Sequence, residues 1–502
     1  MPGNLRPRTA TPRAFAELAE LISAPRPAGD APGPLVSGVT HASDAVRPGD
    51  LFAALPGARR HGRDFVPAAA AAGAVAVLTD KAGAPAAAKA ELPALVVPDP
   101  RAVLGTLAAA VYGDPTAHMP VIGITGTAGK TSTAYLLESG LRAAGHVTGL
   151  IGTVETRLGD LVVESVRTTP EATDLHALLA VAREHGVTAV VMEVSSHALA
   201  MGRVGGVRFA AGGYTNFGLD HLDFHTDIDD YFAAKAKLFD GRCRVEVLNL
   251  DDPSLDPLMK PTTVTYSAVG NPDATWHAAD VSGDAYKQVF TAIGPEVRVE
   301  AGVALPGLHN VANALLAIAM LDGVGVAPGT AARGVAACPG VPGRLERVDS
   351  PGPVLGVVDY AHKPDAIVAA LIALRQLATA RGGQLICVIG AGGDRDRGKR
   401  PLMGAAAGRG ADLVVVTDDN PRTEDPAAIR REVLAGAART AAKVIEVAGR
   451  RAAIDEAVRL ASPGDVVAVL GKGHERGQEV GGDVLPFDDR VELAAALTGA
   501  GA

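Results

Sequence analysis

A chain of 502 residues is too long for one hydrophobic core, so about three domains are expected, and the dominance of Ala, Gly and Val over a 4% aromatic content suits packed α/β layers. A net charge of -9 with no Lys/Arg cluster to offset it excludes a general nucleic-acid binder and favours small-molecule partners. The isolated thiols Cys243, Cys338 and Cys387 exclude a disulfide framework or structural zinc, and no stretch reaches the ~20 apolar residues of a membrane span, so a cytoplasmic protein with no membrane insertion is expected.

Met1 to Arg13 is polar and Pro-rich, and is expected to fray. From Pro34 to Val97 apolar segments alternate with turns: Leu35 to Val39, Asp50 to Leu55 and Ala72 to Leu78, with an Ala-rich helix from about Asp64 to Ala72. This predicts a small α/β domain over residues 1–117, closed by a helix from Arg101 to Tyr112 and the breaker Gly113-Asp114-Pro115. Ser43, His61 and Gly62 fall in its loops, where spacing alone reads them as surface turns.

Next comes Val121-Ile-Gly-Ile-Thr-Gly-Thr-Ala-Gly-Lys-Thr-Ser132, which reads as a nucleotide phosphate site. Val121 to Ile124 suit a buried strand, Gly126 and Gly129 admit phosphate oxygens close to the backbone, and a helix from about Ser132 aims its amides at the anion. Lys130 supplies positive charge and the Thr131 hydroxyl suits Mg²⁺, so Gly126, Thr127, Ala128, Gly129, Lys130, Thr131 and Ser132 are the expected ATP cradle. Ile124 stands where the longer P-loop pattern has Gly.

Strands at Val147 to Ile151, Thr188 to Met192, Ala210 to Thr215 and Arg244 to Leu250 alternate with helices at Ser132 to Ala144, Thr173 to His185 and Tyr231 to Phe239. That order predicts a P-loop-type, mainly parallel sheet with helices on both faces over residues 118–343. Its strand ends carry Arg167-Thr-Thr-Pro170, Glu193-Val-Ser-Ser-His197 and Thr215-Asn-Phe-Gly-Leu-Asp-His221. Glu193 and His221 are the metal candidates, against a helix-capping glutamate and an ordinary loop histidine. Spacing puts Lys235 and Lys237 on different helix faces and reads both as solvated, while Asn310 and Asn313, three apart, contact a base or cap their helix. A linker is expected near Pro339 to Glu346.

Residues 344–502 restart the alternation and predict a Rossmann-like α/β domain, with strands at Val354 to Asp359, Leu385 to Ile389, Leu413 to Thr417, Lys443 to Val447 and Asp465 to Leu470. Gly390 to Gly393 fails the dinucleotide fingerprint because Arg395 occupies its last position. The charged strand ends form a rim that suits a zwitterion, with Arg for the carboxylate and Glu475 for the ammonium; a solvated charged rim is the competing reading. A phosphate loop followed by such a rim suggests ATP-driven joining of an acid to an amine through an acyl phosphate, because a carboxylate oxygen is a poor leaving group.

T-G-T-A-G-K-T, M-E-V-S-S-H-A-L, T-N-F-x-x-D-H-L-D-F-H, Y-F-x-A-K, G-x-H-N-V-x-N-A-L, D-Y-A-H-K-P-D and G-G-D-R-D-x-G-K-R-P occur in order. From about Val36 to Leu497 the chain resembles the Mur ligases of peptidoglycan synthesis, in the branch that extends UDP-N-acetylmuramoyl-L-alanyl-D-glutamate. The resemblance implies that Lys235 is carbamylated and becomes a metal ligand beside Thr131, Glu193 and His221, with Mg²⁺ as cofactor and Lys130, Lys235, Glu193 and His221 as the catalytic set. It implies ATP contacts at Asn310, Arg344, Asp359 and His362, and contacts to the UDP-muramoyl dipeptide at Ser43, His61, Thr168, Thr169, Ser196 and Arg203. Asp419-Asn420-Pro421-Arg422 resembles the motif of members that take meso-diaminopimelate, and the same carry-over adds Arg395, Gly471 and Glu475. Arg422 also suits a second carboxylate on physical grounds.

The chain departs from the family at Ala42-Ser43-Asp44, where many members read D-S-R, and at Phe217, where many carry Leu. A folylpolyglutamate synthase shares the fold and chemistry, but the first domain and D-N-P-R weigh against it. A non-catalytic nucleotide switch is countered by the presence of Lys235, Glu193 and His221 together. A monomer is expected.

Overall fold

The computed structural model describes residues 5–25, 32–57, 59–163, 165–284, 286–349 and 352–499. They form two compact units, Met1–Tyr266 with Leu316–Gly334 and Ser267–Leu315 with Val335–Ala502. Within them lie three α/β domains, as the alternation of strands and helices predicts.

In the first unit the N-terminal domain is a four-stranded parallel sheet in the order Gly38–Thr40, Asp50–Ala53, Ala76–Thr79, Ala94–Val96. Its expected single helix is two pieces, a 3-10 turn at Gly62–Phe65 and the helix Val66–Ala71, because Pro67 has no amide to extend the ladder backwards. The expectation of a frayed start fails for residues 5–13, and residues 1–4 lie outside the described residues. Arg6 pairs with Asp50 at 3.0 Å, and Thr9 donates its amide and hydroxyl to Glu184 at 2.8 and 2.7 Å.

The central sheet runs Thr148–Ile151, Ala189–Glu193, Val121–Thr125, Phe209–Tyr214, Cys243–Asn249, Val264–Ser267, all parallel. An antiparallel hairpin, Thr156–Leu158 with Leu161–Val163, extends its edge beside Thr148–Ile151. The strands are apolar throughout because both faces are covered. On one face Val121, Val190 and Met192 pack with Leu175, Leu178 and Leu179 of the helix Ala172–Glu184. A Cβ at Gly213 would meet the end of the Met320 side chain, so the helix Leu308–Gly323 crosses closely over that strand.

His176 on Ala172–Glu184 is fully buried and donates from Nε2 to the Gly205 carbonyl at 2.8 Å. Burial pushes its pKa below the ordinary 6.5. The unfolded chain therefore binds a proton that the folded chain refuses; this contribution to stability is present above about pH 6.5 and is lost as pH falls towards the depressed value. Between about pH 7.5 and about pH 5.5, calorimetry should show the thermal midpoint of the wild type falling further than that of His176→Gln, which can still donate to Gly205.

In the second unit the C-terminal domain is a six-stranded sheet in the order Glu346–Val348, Leu355–Asp359, Val466–Leu470, Leu385–Ile389, Leu413–Val416, Lys443–Glu446, parallel except at the first strand. Leu385, Cys387 and Ile389 face the helices Pro364–Ala380, Lys399–Gly410 and Pro426–Ala437, while Ile386 and Val388 face Arg450–Leu460 and Asp489–Gly499. Alternate residues thus enter opposite cores, which explains the unbroken apolar run.

Under the second face Arg450 and Asp489 form a bidentate pair, 2.7 Å at each contact, with neither side chain exposed. Asp489→Ala strands a buried guanidinium and is expected to cost about 3–5 kcal/mol by denaturant titration, whereas Glu456→Ala, which breaks the exposed pair with Arg459, should leave the denaturation midpoint essentially unmoved.

Two features went unread in the sequence: the meander Trp276–Asp284, Lys287–Gly294, Val297–Val303, and the hairpin Gly477–Val480 with Asp483–Pro486. The expected linker around Pro339 is not loose. Val341 and Leu345 are buried, and the Tyr286 hydroxyl donates to the Leu345 carbonyl.

Candidate active site

The strand Val121–Thr125 ends in the phosphate-type loop, and the helix after it begins at Lys130, two residues earlier than expected. Glycine is needed at 126 for an internal reason: φ is 140°, and a Cβ would strike the Thr215 hydroxyl. The loop is clamped from the neighbouring strand end, since Thr127 N donates to Asn216 O at 2.8 Å and Ala128 N to Asn216 Oδ1 at 3.1 Å. The amides left facing an anion are then those of the first helical turn, where no intrahelical carbonyl is in reach.

Lys130 Nζ donates to the carbonyls of Gly126 and Thr127 at 2.7 and 3.2 Å. Lys235 reaches the same Gly126 carbonyl at 2.8 Å from the helix Ile228–Ala236. The reading of Lys235 as solvated is corrected: it is 1% exposed, and its ammonium lies 4.6 Å from the centre of the Tyr231 ring. Helical spacing gives a direction relative to Lys237, which is exposed, but not which direction the core occupies.

Glu193, buried at the end of Ala189–Glu193, accepts from the Thr131 hydroxyl at 3.1 Å, the Thr153 amide at 2.8 Å and the Thr153 hydroxyl at 3.1 Å. It is not a helix cap; Ser195 caps the short helix Ser196–Ala200. His221, at φ 53°, lies 3.0 Å from Asp220 and edge-on to the His197 ring at 4.7 Å. Among the described residues no group of three or more His, Cys, Asp or Glu side chains is arranged for a metal. The Thr131 and Glu193 oxygens do suit Mg²⁺, which takes one or two protein oxygens and completes its shell with phosphate and water.

Thr168 and Thr169 lead into the same strand end. Thr168 is 3.0 Å from the Thr153 hydroxyl, and Thr169 donates to the Glu193 carbonyl at 2.9 Å. Ser196 is buried with no hydrogen-bond partner for its hydroxyl among the described residues, and Arg203 pairs with Glu171 at 2.8 Å. In the N-terminal domain His61 Nδ1 accepts from Arg63 N at 3.0 Å, so its Nε2 carries the proton and donates to Asp80 at 3.1 Å. Ser43 is half-buried in the 3-10 turn Ser43–Ala45.

In the second unit Asp359 accepts from the amides of Leu345 and Ala361 at 2.6 and 2.8 Å. Burial pushes its carboxyl above the ordinary range, opposed by the charge of Arg344 and by those amides. Arg344 stacks 4.4 Å over the Tyr360 ring, and His362 donates from Nδ1 to the Tyr360 carbonyl at 2.8 Å. Asn310 and Asn313 share a face as the spacing requires: Asn313 donates to Asn310 at 3.1 Å, and Asn310 donates to Pro306 O at 2.8 Å.

At the charged strand ends of the C-terminal domain several side chains are buried and paired, whereas residues 394–398 are exposed. Arg400 is fully buried against Glu424 at 2.8 Å, and its hydrogen bond holds the Glu424 carboxyl down at about 2. Lys472, given no role by the sequence, is also fully buried and donates to Asn420 Oδ1 at 2.8 Å and Glu475 at 3.1 Å. Asn420 donates its amide to Glu475 at 3.0 Å, so Asn420, Lys472 and Glu475 form one closed triangle. Asp419 lies beside Gly471, where φ is 120° and any Cβ would meet the Asp419 carboxylate. Pro421 packs its carbonyl on Gly393, which explains the glycine there. Arg395 is exposed, and its side chain donates to the Asp394 carbonyl at 3.5 Å.

Three family descriptions match in the expected order: "Mur ligase family, catalytic domain" at residues 35–112, "Mur ligase middle domain" at 124–321 and "Mur ligase, glutamate ligase domain" at 343–473. The chain belongs to the Mur ligase family. It is a ligase, and its relatives match along its whole length. A UDP-N-acetylmuramoyl-L-alanyl-D-glutamate–2,6-diaminopimelate ligase of Streptomyces avermitilis is 54% identical, covering 99% of this chain and 98% of the relative. The enzyme of the same name from Corynebacterium glutamicum is 48% identical over 89% of each chain. A solved structure of a ligase with that name is 30% identical with TM-score 0.69, covering 97% of this chain and 99% of the other. The Mur-type motifs lie at the carboxyl ends of parallel strands, where open α/β sheets gather ligands.

Proposed function

We infer that this Mur ligase uses ATP to join meso-diaminopimelate to UDP-N-acetylmuramoyl-L-alanyl-D-glutamate through an acyl phosphate. One observation carries the reading: Lys130 and Lys235 converge on the Gly126 carbonyl beside the Thr131–Glu193 pair, which gathers the charges that phosphoryl transfer needs at one strand end.

The glutamyl carboxylate oxygen attacks the γ-phosphorus, ADP leaves, and the deprotonated amine then adds to the acyl carbon and expels phosphate. Lys130 turns from the loop carbonyls to the transferring phosphoryl oxygens. Thr131, Glu193 and His221 would hold Mg²⁺, which would supply charge neutralisation when bound. Lys235 would take up CO2 as its neutral amine and lose a proton to give a carbamate, whose carboxylate would add negative charge for the metal while Nζ keeps one hydrogen for the Gly126 carbonyl. Asn310, Arg344, Asp359 and His362 take the nucleotide contacts that the family resemblance assigns to them. Ser43, His61, Thr168, Thr169, Ser196 and Arg203 hold the UDP-muramoyl dipeptide, and the unpartnered Ser196 hydroxyl awaits such a bond. Arg395, Asp419, Asn420, Pro421, Arg422, Gly471 and Glu475 receive diaminopimelate.

Domain boundaries are placed after residues 117 and 343, the chain acts as a monomer, and its UDP-linked substrate assigns it to the cytoplasm. Among the described residues no helix is long and apolar enough to cross a membrane. The test is phosphate release with the UDP-muramoyl dipeptide, ATP and, in parallel, meso-diaminopimelate, L-lysine or D-alanyl-D-alanine. Turnover is expected with the first alone, and equal turnover with L-lysine overturns the substrate assignment.

A further inference from the structure

The hairpin Gly477–Val480 and Asp483–Pro486, which no motif announced, is joined to the D-N-P-R loop by a parallel bridge between Arg422 and Val480 and by the Gln478 side chain, which donates to Asp419 O at 2.6 Å. Arg422 N donates to Glu479 O at 2.9 Å, and Gly481 N donates to Arg422 O at 2.7 Å. Arg422 Nε lies 2.6 Å from the Glu479 carboxylate, and its Nη1 donates to Gly393 O at 2.7 Å. With φ at 51°, the Arg422 backbone sits in a conformation that side-chain-bearing residues seldom adopt. The guanidinium is thus fixed at two corners. Its Nη2 has no hydrogen bond or ion pair among the described residues, although the side chain is only 23% exposed.

We propose that Glu479 is a positioning residue for amino-acid selection: it holds Arg422 by Nε so that Nη2 and the outer hydrogen of Nη1 face the second carboxylate of the incoming dicarboxylic amino acid. This rests on the assignment of Arg422 to that carboxylate. A long flexible arginine loses rotamer freedom when it binds, and a partner that fixes the guanidinium beforehand removes that cost from the binding step. Asn420 Oδ1, which accepts from Glu479 N at 3.0 Å, ties the same hairpin to the Asn420–Lys472–Glu475 triangle.

The experiment measures KM for meso-diaminopimelate and kcat for Glu479→Ala, Glu479→Gln, Arg422→Ala and the double variant, with thermal midpoints to confirm folding. Glu479→Ala should raise KM about 10-fold with kcat within about 2-fold, and Glu479→Gln, which keeps a polar oxygen beside Nε but loses the charge, should fall between it and wild type. In the Arg422→Ala background the Glu479→Ala change should add less than about 2-fold, because its only route to substrate is gone. An unchanged KM in Glu479→Ala, or the same rise in both backgrounds, overturns the proposal while leaving the Arg422 assignment standing. An unchanged KM in Arg422→Ala overturns both.

Discussion

Lys130→Met should lower kcat by about 10²–10³-fold while the enzyme stays folded, measured as phosphate release at saturating ATP with the thermal midpoint as control. Methionine keeps the length of the side chain and removes the charge. The loop has no need of that ammonium to hold its shape, because Asn216 and Thr215 clamp Thr127 and Ala128 independently. The lost term is therefore one that grows as negative charge spreads over the transferring phosphoryl, so it falls on kcat more than on KM for ATP. Lys237→Ala, an exposed lysine two positions from Lys235, is the matched control and should change kcat by less than about 2-fold. Comparable losses in the two variants would mean that the ammonium of Lys130 serves no particular step.

Much of this site can be read from residue order alone, because the chemistry sits where apolar strands give out. Val121–Thr125, Ala189–Glu193 and Leu385–Ile389 were each legible within about two residues, since both their faces are buried and the apolar run is continuous. The meander from Trp276 to Val303 was not. Its buried Phe290 and Ala292 alternate with Thr291 and Val289, a weaker pattern in a sheet with one exposed face. Lys235 was misplaced for a different reason: period fixes the angle between two residues on a helix, while tertiary packing decides which angle is dry. Lys472 and Glu479 escaped notice because their partners, Asn420 and Arg422, are more than fifty positions away in the chain. The family resemblance supplied the roles of Lys235 and Arg422; spacing supplied neither.

Arg422→Ala should weaken meso-diaminopimelate by about 10–10²-fold in kcat/KM, the equivalent of about 1.5–3 kcal/mol for a lost hydrogen-bonded ion pair, and should narrow the preference over L-lysine by the same factor. The direction follows from what the guanidinium meets. Glu479 occupies Nε and Gly393 occupies one hydrogen of Nη1, so the free fork can serve only an acceptor brought from outside. Diaminopimelate brings a second carboxylate to that fork and lysine brings none, so the arginine separates the two amino acids by a contact one of them cannot make. Backbone effects run the other way. At φ 51° alanine is no more strained than arginine, so the fold should not suffer and the loss should appear in substrate handling alone. Arg422→Lys should recover little, because a point ammonium cannot keep Nε on Glu479 and also present a planar fork. If Arg422→Ala leaves the ratio of kcat/KM between the two amino acids intact, selection lies elsewhere on the rim, and Arg395, the exposed arginine of the neighbouring loop, becomes the next residue to replace.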